Sequence, residues 1–147
     1  MSRWRSFLSR WTNRRFFPAA SPEAPHLVLG RRGEKLATRH LRQRKYKILH
    51  RNFRGSSGGE IDLVCRHGDT LVFVEVKTRS CEEFGRPLAA VDAKKRRRIV
   101  KGAMTWLRML DLPDITFRFD VVEVLAAHPP EIRVIESAFG LPSNYYY

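Results

Sequence analysis

Cysteine is scarce in this sequence, and the two that occur, Cys65 and Cys81, do not form a Cys-x-x-Cys pair. Two cysteines are too few for a disulfide framework, so we expect free thiols in a reducing, cytoplasmic compartment. The five histidines are scattered without zinc-ligand spacing, which argues against a zinc site. Long apolar runs are also missing, so the sequence predicts no transmembrane segment.

Acidic residues are also few. The sequence has 15 Asp and Glu but 28 Lys and Arg, which gives a net charge of +13 and a pI near 10.7. A field of that sign favours a polyanionic partner, nucleic acid first and an anionic membrane surface second. A basic surface that serves only solubility is the alternative. The 147 residues, 43% of them hydrophobic, suffice for one domain with a core.

No acidic residue occurs in residues 1–17, where Trp4, Phe7, Leu8 and Trp11 follow helical spacing among five arginines. A short helix on an anionic membrane surface, an organellar transit peptide and a disordered basic extension all fit this composition. The Pro/Ala-rich stretch that follows predicts a linker. We therefore expect an N-terminal extension with its linker over 1–25, a folded domain over 26–142 and a loose tail over 143–147.

The hydrophobic pattern of the folded domain predicts an α/β protein with the element order α-β-β-β-α-β-β. The first helix presents one apolar face, with Glu34 at the edge of that face. Asp92 is suited to cap the second helix. Strands are expected at about 46–53, 60–66, 71–78, 115–125 and 132–139. The buried stripe of the second helix is predicted to be Ile99, Val100, Ala103, Trp106, Leu107 and Leu110.

The segment "GGEIDLVCRHGDTLVFVEVKTR" (58–79) predicts a tight β-hairpin with a two-residue Gly-Asp turn. Continuing the pairing outward from that turn puts Asp62 opposite Glu75 and Glu60 opposite Lys77. Because side chains alternate between the faces of a sheet, these four charged residues share one side. The other side is predicted to be apolar, and it comprises Ile61, Leu63, Val72, Val74 and Val76.

Two carboxylates at opposed strand positions have Cβ atoms roughly 4.5–5.5 Å apart, and they repel each other unless a cation lies between them. A hard divalent ion such as Mg²⁺ or Mn²⁺ would account for Asp62 and Glu75, because it takes carboxylate oxygens and keeps several waters. Such an ion polarises a phosphoryl oxygen and lowers the pKa of a bound water, which Lys77 could orient. The alternative is a structural charge ladder, with Glu60 paired to Lys77 and Asp62 paired to an arginine.

The stretches "GRRGEKLA", "GGEIDLV", "LVFVEVKTR" and "FGRPLAAVDAKKRRRI" resemble the YraN family over about residues 28–125. That family of small bacterial proteins is related to the PD-(D/E)XK nucleases and, within them, to archaeal Holliday-junction resolvases. The resemblance implies a restriction-endonuclease-like fold, in which a mixed β-sheet is flanked by helices. Ile61 stands where the superfamily has a proline. The site residues that the resemblance implies are Asp62 and Glu75 as metal ligands, Lys77 as the catalytic lysine and Glu34 as an accessory acid.

The basic run "KKRRR" (94–98) opposes the helix dipole at the start of the second helix, so helix stability does not explain it. Contacts with phosphates would explain it, and a solvated helix face is the alternative. No aromatic platform or recognition helix is evident, so binding should follow the backbone or the shape of DNA. The residues expected to hold a nucleic-acid backbone over the metal are Arg79, Arg86, Lys94, Lys95 and Arg98.

Two functions from different classes fit these patterns. One is a Mg²⁺-dependent endonuclease of the PD-(D/E)XK type that hydrolyses phosphodiester bonds, with branched DNA as a candidate substrate. The other is a non-catalytic nucleic-acid-binding module that retains the nuclease fold. A third hypothesis, a membrane-surface adaptor that uses residues 1–17, leaves the charged hairpin unexplained. DNA is the expected partner, and a homodimer is compatible with the first two functions.

Overall fold

The computed structural model describes residues 24–80, 91–111 and 114–143. These residues form two helices and five strands in the predicted order, and the strand ends differ only slightly from the predicted ones. The predicted N-terminal block, Cys81, Arg86 and the last four residues lie outside the described ranges. In chain order the elements are α1 (Pro25–Gln43), β1 (Lys47–Arg54), β2 (Glu60–His67), β3 (Thr70–Arg79), α2 (Ala93–Leu110), β4 (Phe117–Leu125) and β5 (Glu131–Phe139).

The five strands form one mixed sheet in the order β1-β2-β3-β4-β5. Strands β3 and β4 run parallel, whereas all other neighbours in this sheet are antiparallel. A parallel pair needs a long crossover connection, and α2 lies within it. The architecture confirms the α/β class and agrees with the helix-flanked mixed sheet of the restriction-endonuclease-like fold.

Each face of the sheet packs against one helix. One core cluster joins Trp106 of α2 to Phe73 and its neighbours, and the other joins Leu41 of α1 to Val72 and its neighbours. Because Val72 and Phe73 are adjacent in β3, they point to opposite faces, as strand alternation requires. Among the described residues, no helix is long and apolar enough to cross a membrane.

The position of α2 is fixed by a cap at its start and by a close backbone contact near its middle. Asp92 caps the helix as predicted, because its Oδ1 accepts a hydrogen bond from the Lys95 N–H at 2.7 Å. The whole predicted apolar stripe of α2 is buried. A Cβ atom at Gly59 would overlap the backbone of Gly102, so α2 lies directly against the start of β2. This contact brings the helix to the strand that carries Asp62.

The predicted hairpin register is confirmed from the turn as far as Leu63 and Val74, which are Cα partners. The regular pairing of β2 with β3 ends there. Asp62 is the next residue of β2 away from the turn. Its side-chain Oδ2, and not a backbone carbonyl of β2, accepts a hydrogen bond from the Val76 N–H at 2.8 Å. The two strands therefore part at the position of the predicted site.

The placement of Ile61 was predicted wrongly. It packs in the core cluster on the α2 side, whereas Leu63 lies in the cluster on the α1 side. The cause lies in β1, where Asn52 has a φ of 51° between the paired positions Arg51 and Phe53. A left-handed residue interrupts the alternation of a strand, so Phe53 and its partner Ile61 turn together towards α2.

Candidate active site

The side chains of Asp62 and Glu75 meet where β2 parts from β3. Glu75 is 4% exposed, and Asp62 is half-buried. The two carboxyl groups are close enough for a side-chain hydrogen bond between them. The Val76 N–H also fixes the orientation of the Asp62 carboxylate, because it donates a hydrogen bond to Oδ2. The structure thus brings together the two residues that the sequence predicts as metal ligands.

The surroundings of this pair disfavour the ionised form of Glu75. Burial and the negative charge of Asp62 raise the pKa of Glu75, while the nearby Lys95 acts in the opposite direction. Burial is the larger cause of the rise, because an ionised carboxylate loses its hydration there, and repulsion from Asp62 adds to it. The buried Oε2 of Glu75 has no hydrogen-bond partner among the described residues. Fold stability alone gives no reason for such a buried acid.

Lys95 of α2 supplies a cation to this cluster. Its Nζ lies 2.8 Å from Oε1 of Glu60 and 3.2 Å from Oε1 of Glu75. Arg98 lies 2.8 Å from the other oxygen of Glu60, so Glu60 forms its ion pairs with α2. The alternative of a structural charge ladder would have paired it with Lys77. The hydrogen bond from Lys95 lowers the pKa of Glu60. Burial alone would lower the pKa of Lys95, but Glu60 and Glu75 outweigh burial and raise it.

Glu34 approaches the same cluster from α1. Its Oε2 accepts a hydrogen bond of 3.4 Å from the side chain of Asn52. Burial, and after it the charge of Asp62, raise the pKa of Glu34. The approach depends on Gly33, because a Cβ atom there would overlap the side chain of Thr78 in β3. The sequence predicted Glu34 at the edge of the apolar face, and that edge lies beside the carboxylate pair.

Lys77 is exposed and lies on the same face of β3 as Glu75, by strand alternation. Its partner in the parallel register with β4 is Glu123, which is 1% exposed. Neither carboxylate oxygen of Glu123 has a hydrogen-bond partner in the described part of the chain, although Arg133 Nη1 lies 3.8 Å away. The sequence reasoning missed this buried acid. A carboxylate among the valines of "FDVVEVL" is the same signal that singled out Glu75.

The donor set fits a hard divalent cation of the size of Mg²⁺. Asp62 and Glu75 offer adjacent carboxylates, and one buried oxygen of Glu75 lacks a partner among the described residues. No group of three carboxylate, imidazole or thiol side chains is gathered as a ligand cage within the described ranges. Mg²⁺ does not need such a cage, because it commonly uses one or two carboxylates and keeps several waters. The ammonium of Lys95 lies 3.2 Å from Oε1 of Glu75.

The basic residues predicted to contact nucleic acid have different surroundings. Lys94 is exposed, whereas Lys95 and Arg98 are engaged by Glu60. Arg79, at the end of β3, is half-buried, and its Nε finds no hydrogen-bond partner among the described residues. Of this group, only Lys94 therefore has an exposed side chain with no ion pair recorded in the described part of the chain.

A second polar cluster surrounds Asp120, which is fully buried. Its carboxylate accepts hydrogen bonds from Arg118 at 2.9 Å, from the Tyr46 hydroxyl at 3.1 Å and from the Ser137 N–H at 3.0 Å. The ring of His67 stacks on Tyr46 with centroids 4.1 Å apart. Because both oxygens of Asp120 are satisfied, this cluster fastens neighbouring strands to one another and offers no open ligand position.

The chain is an α/β protein of restriction-endonuclease-like architecture. It has a five-stranded mixed sheet with one helix on each face, and a carboxylate–lysine cluster lies where strands β2 and β3 part. The sequence model of the "Uncharacterised protein family UPF0102" matches residues 33–124, more than half of the chain. The chain therefore belongs to UPF0102, which is the YraN family.

Individual relatives are similar over nearly their whole length. The UPF0102 proteins of Geobacter metallireducens and Geotalea uraniireducens are 48% and 49% identical over 114 and 120 residues. These matches cover 77% and 80% of this chain and 93% and 94% of the two relatives. The UPF0102 protein of Rhodococcus opacus is 44% identical over 118 residues, which are 79% of this chain and 99% of the relative. The family match spans all four predicted catalytic residues.

Proposed function

We propose that this protein is a Mg²⁺- or Mn²⁺-dependent nuclease that hydrolyses phosphodiester bonds in DNA. The observation that carries the proposal is the contact between Asp62 and Glu75 at the point where β2 parts from β3. A structural charge ladder would oppose each carboxylate in one strand with a cation in the neighbouring strand. Here a buried carboxyl faces another carboxyl, and Lys77 follows on the same face of β3.

Each side chain of the site has its own role in the proposed hydrolysis. A bound divalent ion would polarise a phosphoryl oxygen and lower the pKa of a water. Asp62 and Glu75 would hold that ion, and the hydrogen bond from the Val76 N–H would keep the Asp62 carboxylate in place for it. The exposed ammonium of Lys77 would orient the attacking water or neutralise charge that develops on the phosphate. Glu34, hydrogen-bonded to the side chain of Asn52, would hold a further water.

The charge of the chain supports a nucleic-acid substrate. An excess of +13 attracts a polyanion, and the exposed Lys94 lies one residue from the carboxylate-bound Lys95 at the start of α2. Contacts of this kind go to phosphates and carry no sequence information, so we propose recognition of DNA structure. Branched DNA is the first substrate to test, because the YraN family resembles junction resolvases.

One observation favours a second candidate function, a non-catalytic nucleic-acid-binding module. Lys95 forms ion pairs with both Glu60 and Glu75, as it would in a structural charge network. In that case the basic surface would bind DNA, and divalent ions would have no effect on the protein.

A cleavage assay separates the two functions. Linear duplex, single-stranded and four-way-junction DNA are incubated with the protein in Mg²⁺, in Mn²⁺ and in EDTA. We expect metal-dependent products from the wild type and a loss of at least about 100-fold in Glu75→Gln and in Lys77→Met, the scale of losing one electrostatic contact in a transition state.

The controls carry the same chemical changes at exposed positions. Glu131→Gln in β5 and Lys101→Met in α2 should cleave like the wild type, because both side chains are exposed. Cleavage by Glu75→Gln at the wild-type rate would contradict the proposed roles. Salt-sensitive binding of all three DNAs without cleavage in either metal would favour the binding module.

A further inference from the structure

The position of Lys95 is set by two independent contacts. Its backbone N–H donates to the Asp92 cap at 2.7 Å, so the start of α2 determines where its side chain begins. Its Nζ then lies 2.8 Å from Glu60 and 3.2 Å from Glu75, and the side chain is only 25% exposed. A cation in the first turn of a helix opposes the helix dipole. The carboxylates, and not the stability of α2, therefore account for this lysine.

An ammonium at this place and a divalent ion on Glu75 compete with each other. An ion on either oxygen of Glu75 would lie close to Nζ of Lys95, and two cations repel strongly in a half-buried site. Glu60 does not depend on Lys95 alone, because Arg98 lies 2.8 Å from its second oxygen. Lys95 can therefore withdraw from Glu75 on its flexible stem without leaving Glu60 unpaired.

We propose that Lys95 is the resident counter-cation of the site, which holds Glu75 in the metal-free protein and is displaced from it by a hard divalent cation. The inference rests on the metal site of the proposed function. Lys95 is then a positioning residue that sets the affinity for the metal without binding it. After displacement its ammonium would be free of Glu75, and a phosphate oxygen of DNA could replace that carboxylate as its partner. Metal and DNA would therefore assist each other's binding.

Titration of the full chain with Mn²⁺ in the absence of DNA tests this inference, with thermal shift and calorimetry as readouts. Lys95→Met should bind Mn²⁺ at least about tenfold more tightly than the wild type, because it removes a like charge a few ångströms from the ion. Lys95→Gln should shift the affinity in the same direction, and it replaces Lys95→Met if that variant folds poorly. Lys101→Met removes the same charge from an exposed position of α2 and should bind Mn²⁺ like the wild type.

Melting in EDTA gives a second readout that does not involve metal. Lys95→Met should melt below Lys101→Met, because Glu75 loses its counter-cation and Glu60 loses one of its two cationic partners. Adding Glu75→Gln to each variant should shrink that difference to the part that Glu60 contributes. A difference of undiminished size in the double variants would overturn the inference.

The outcomes distinguish the inference from the proposed function. If the wild type binds Mn²⁺ and both Lys95 variants bind it equally or more weakly, the counter-cation role is wrong and the metal site stands. If the wild type and all variants fail to bind Mn²⁺, the metal site itself is wrong, and the inference falls with it. Tighter binding by the Lys95 variants alone supports the inference.

Discussion

The surroundings of Glu75 have opposing effects on its pKa. Burial and the charge of Asp62 disfavour its ionised form, whereas Lys95, 3.2 Å away, favours it. The first two prevail and raise the pKa of Glu75, so the metal-free folded protein keeps the proton of Glu75 up to a higher pH than the unfolded chain does. The pairing of Asp62 with Glu75 follows from the alternation and turn of the hairpin. The contact between Glu75 and Lys95 does not follow from the hairpin, because it depends on where α2 begins.

This proton makes the stability of the metal-free protein depend on pH. Since the pKa of Glu75 is raised in the folded state, its contribution is complete below the ordinary carboxyl pKa of about 4.3 and is lost as pH rises through the raised pKa. The free energy of unfolding in EDTA should therefore decline over that interval. Chemical denaturation at a series of pH values measures this decline.

Matched variants identify the group responsible. Glu75→Gln should remove this part of the decline, whereas Glu131→Gln, at an exposed position, should retain it. Identical pH profiles for the wild type and Glu75→Gln would show that the buried carboxyl is not the titrating group.

The hairpin and α2 show which features of the elements can be predicted from sequence. The Gly-Asp turn set the register as far as Leu63, and the cap at Asp92 and the apolar stripe of α2 are present as predicted. The face of Ile61 was not predictable, because it depends on the left-handed Asn52 in a different strand. The buried Glu123 carries a visible sequence signal, but its place beside β3 requires knowledge of the parallel pairing.

The close packing of α1 against β3 can be tested by alanine substitutions of two glycines in α1. Gly33→Ala should lower the free energy of unfolding by about 1–3 kcal/mol, because the added methyl group overlaps Thr78. Gly30→Ala should raise it by about 0.5–1 kcal/mol, because nothing lies near that Cβ position and alanine favours the helix. Denaturant unfolding measures both. Equal effects of the two substitutions would contradict the close contact between α1 and β3.

The excess of positive charge is a property of the whole molecule, and it predicts how DNA binding depends on salt. The logarithm of the affinity should fall with the logarithm of salt concentration by about 0.9 for each phosphate contacted in duplex DNA. Lys94→Ala should reduce this slope by about one contact. Arg98→Ala should reduce it less, because Glu60 already engages that side chain. Titrations at several salt concentrations measure the slope, and an affinity independent of salt would rule out the phosphate contacts.

Thermal melts with and without Mn²⁺ test most directly whether Asp62 and Glu75 are opposed to hold a metal. Excess Mn²⁺ should stabilise the wild type, by about 2.7 kcal/mol at one hundred times the dissociation constant. Asp62→Asn should not respond to Mn²⁺. In EDTA it should melt at or above the wild type, because one of two like charges is gone and the amide oxygen can still accept from the Val76 N–H. Asp69→Asn, in the exposed hairpin turn, should behave like the wild type. A wild type that does not respond to Mn²⁺, together with an Asp62→Asn variant destabilised in EDTA, would contradict the metal site and indicate a structural charge pair.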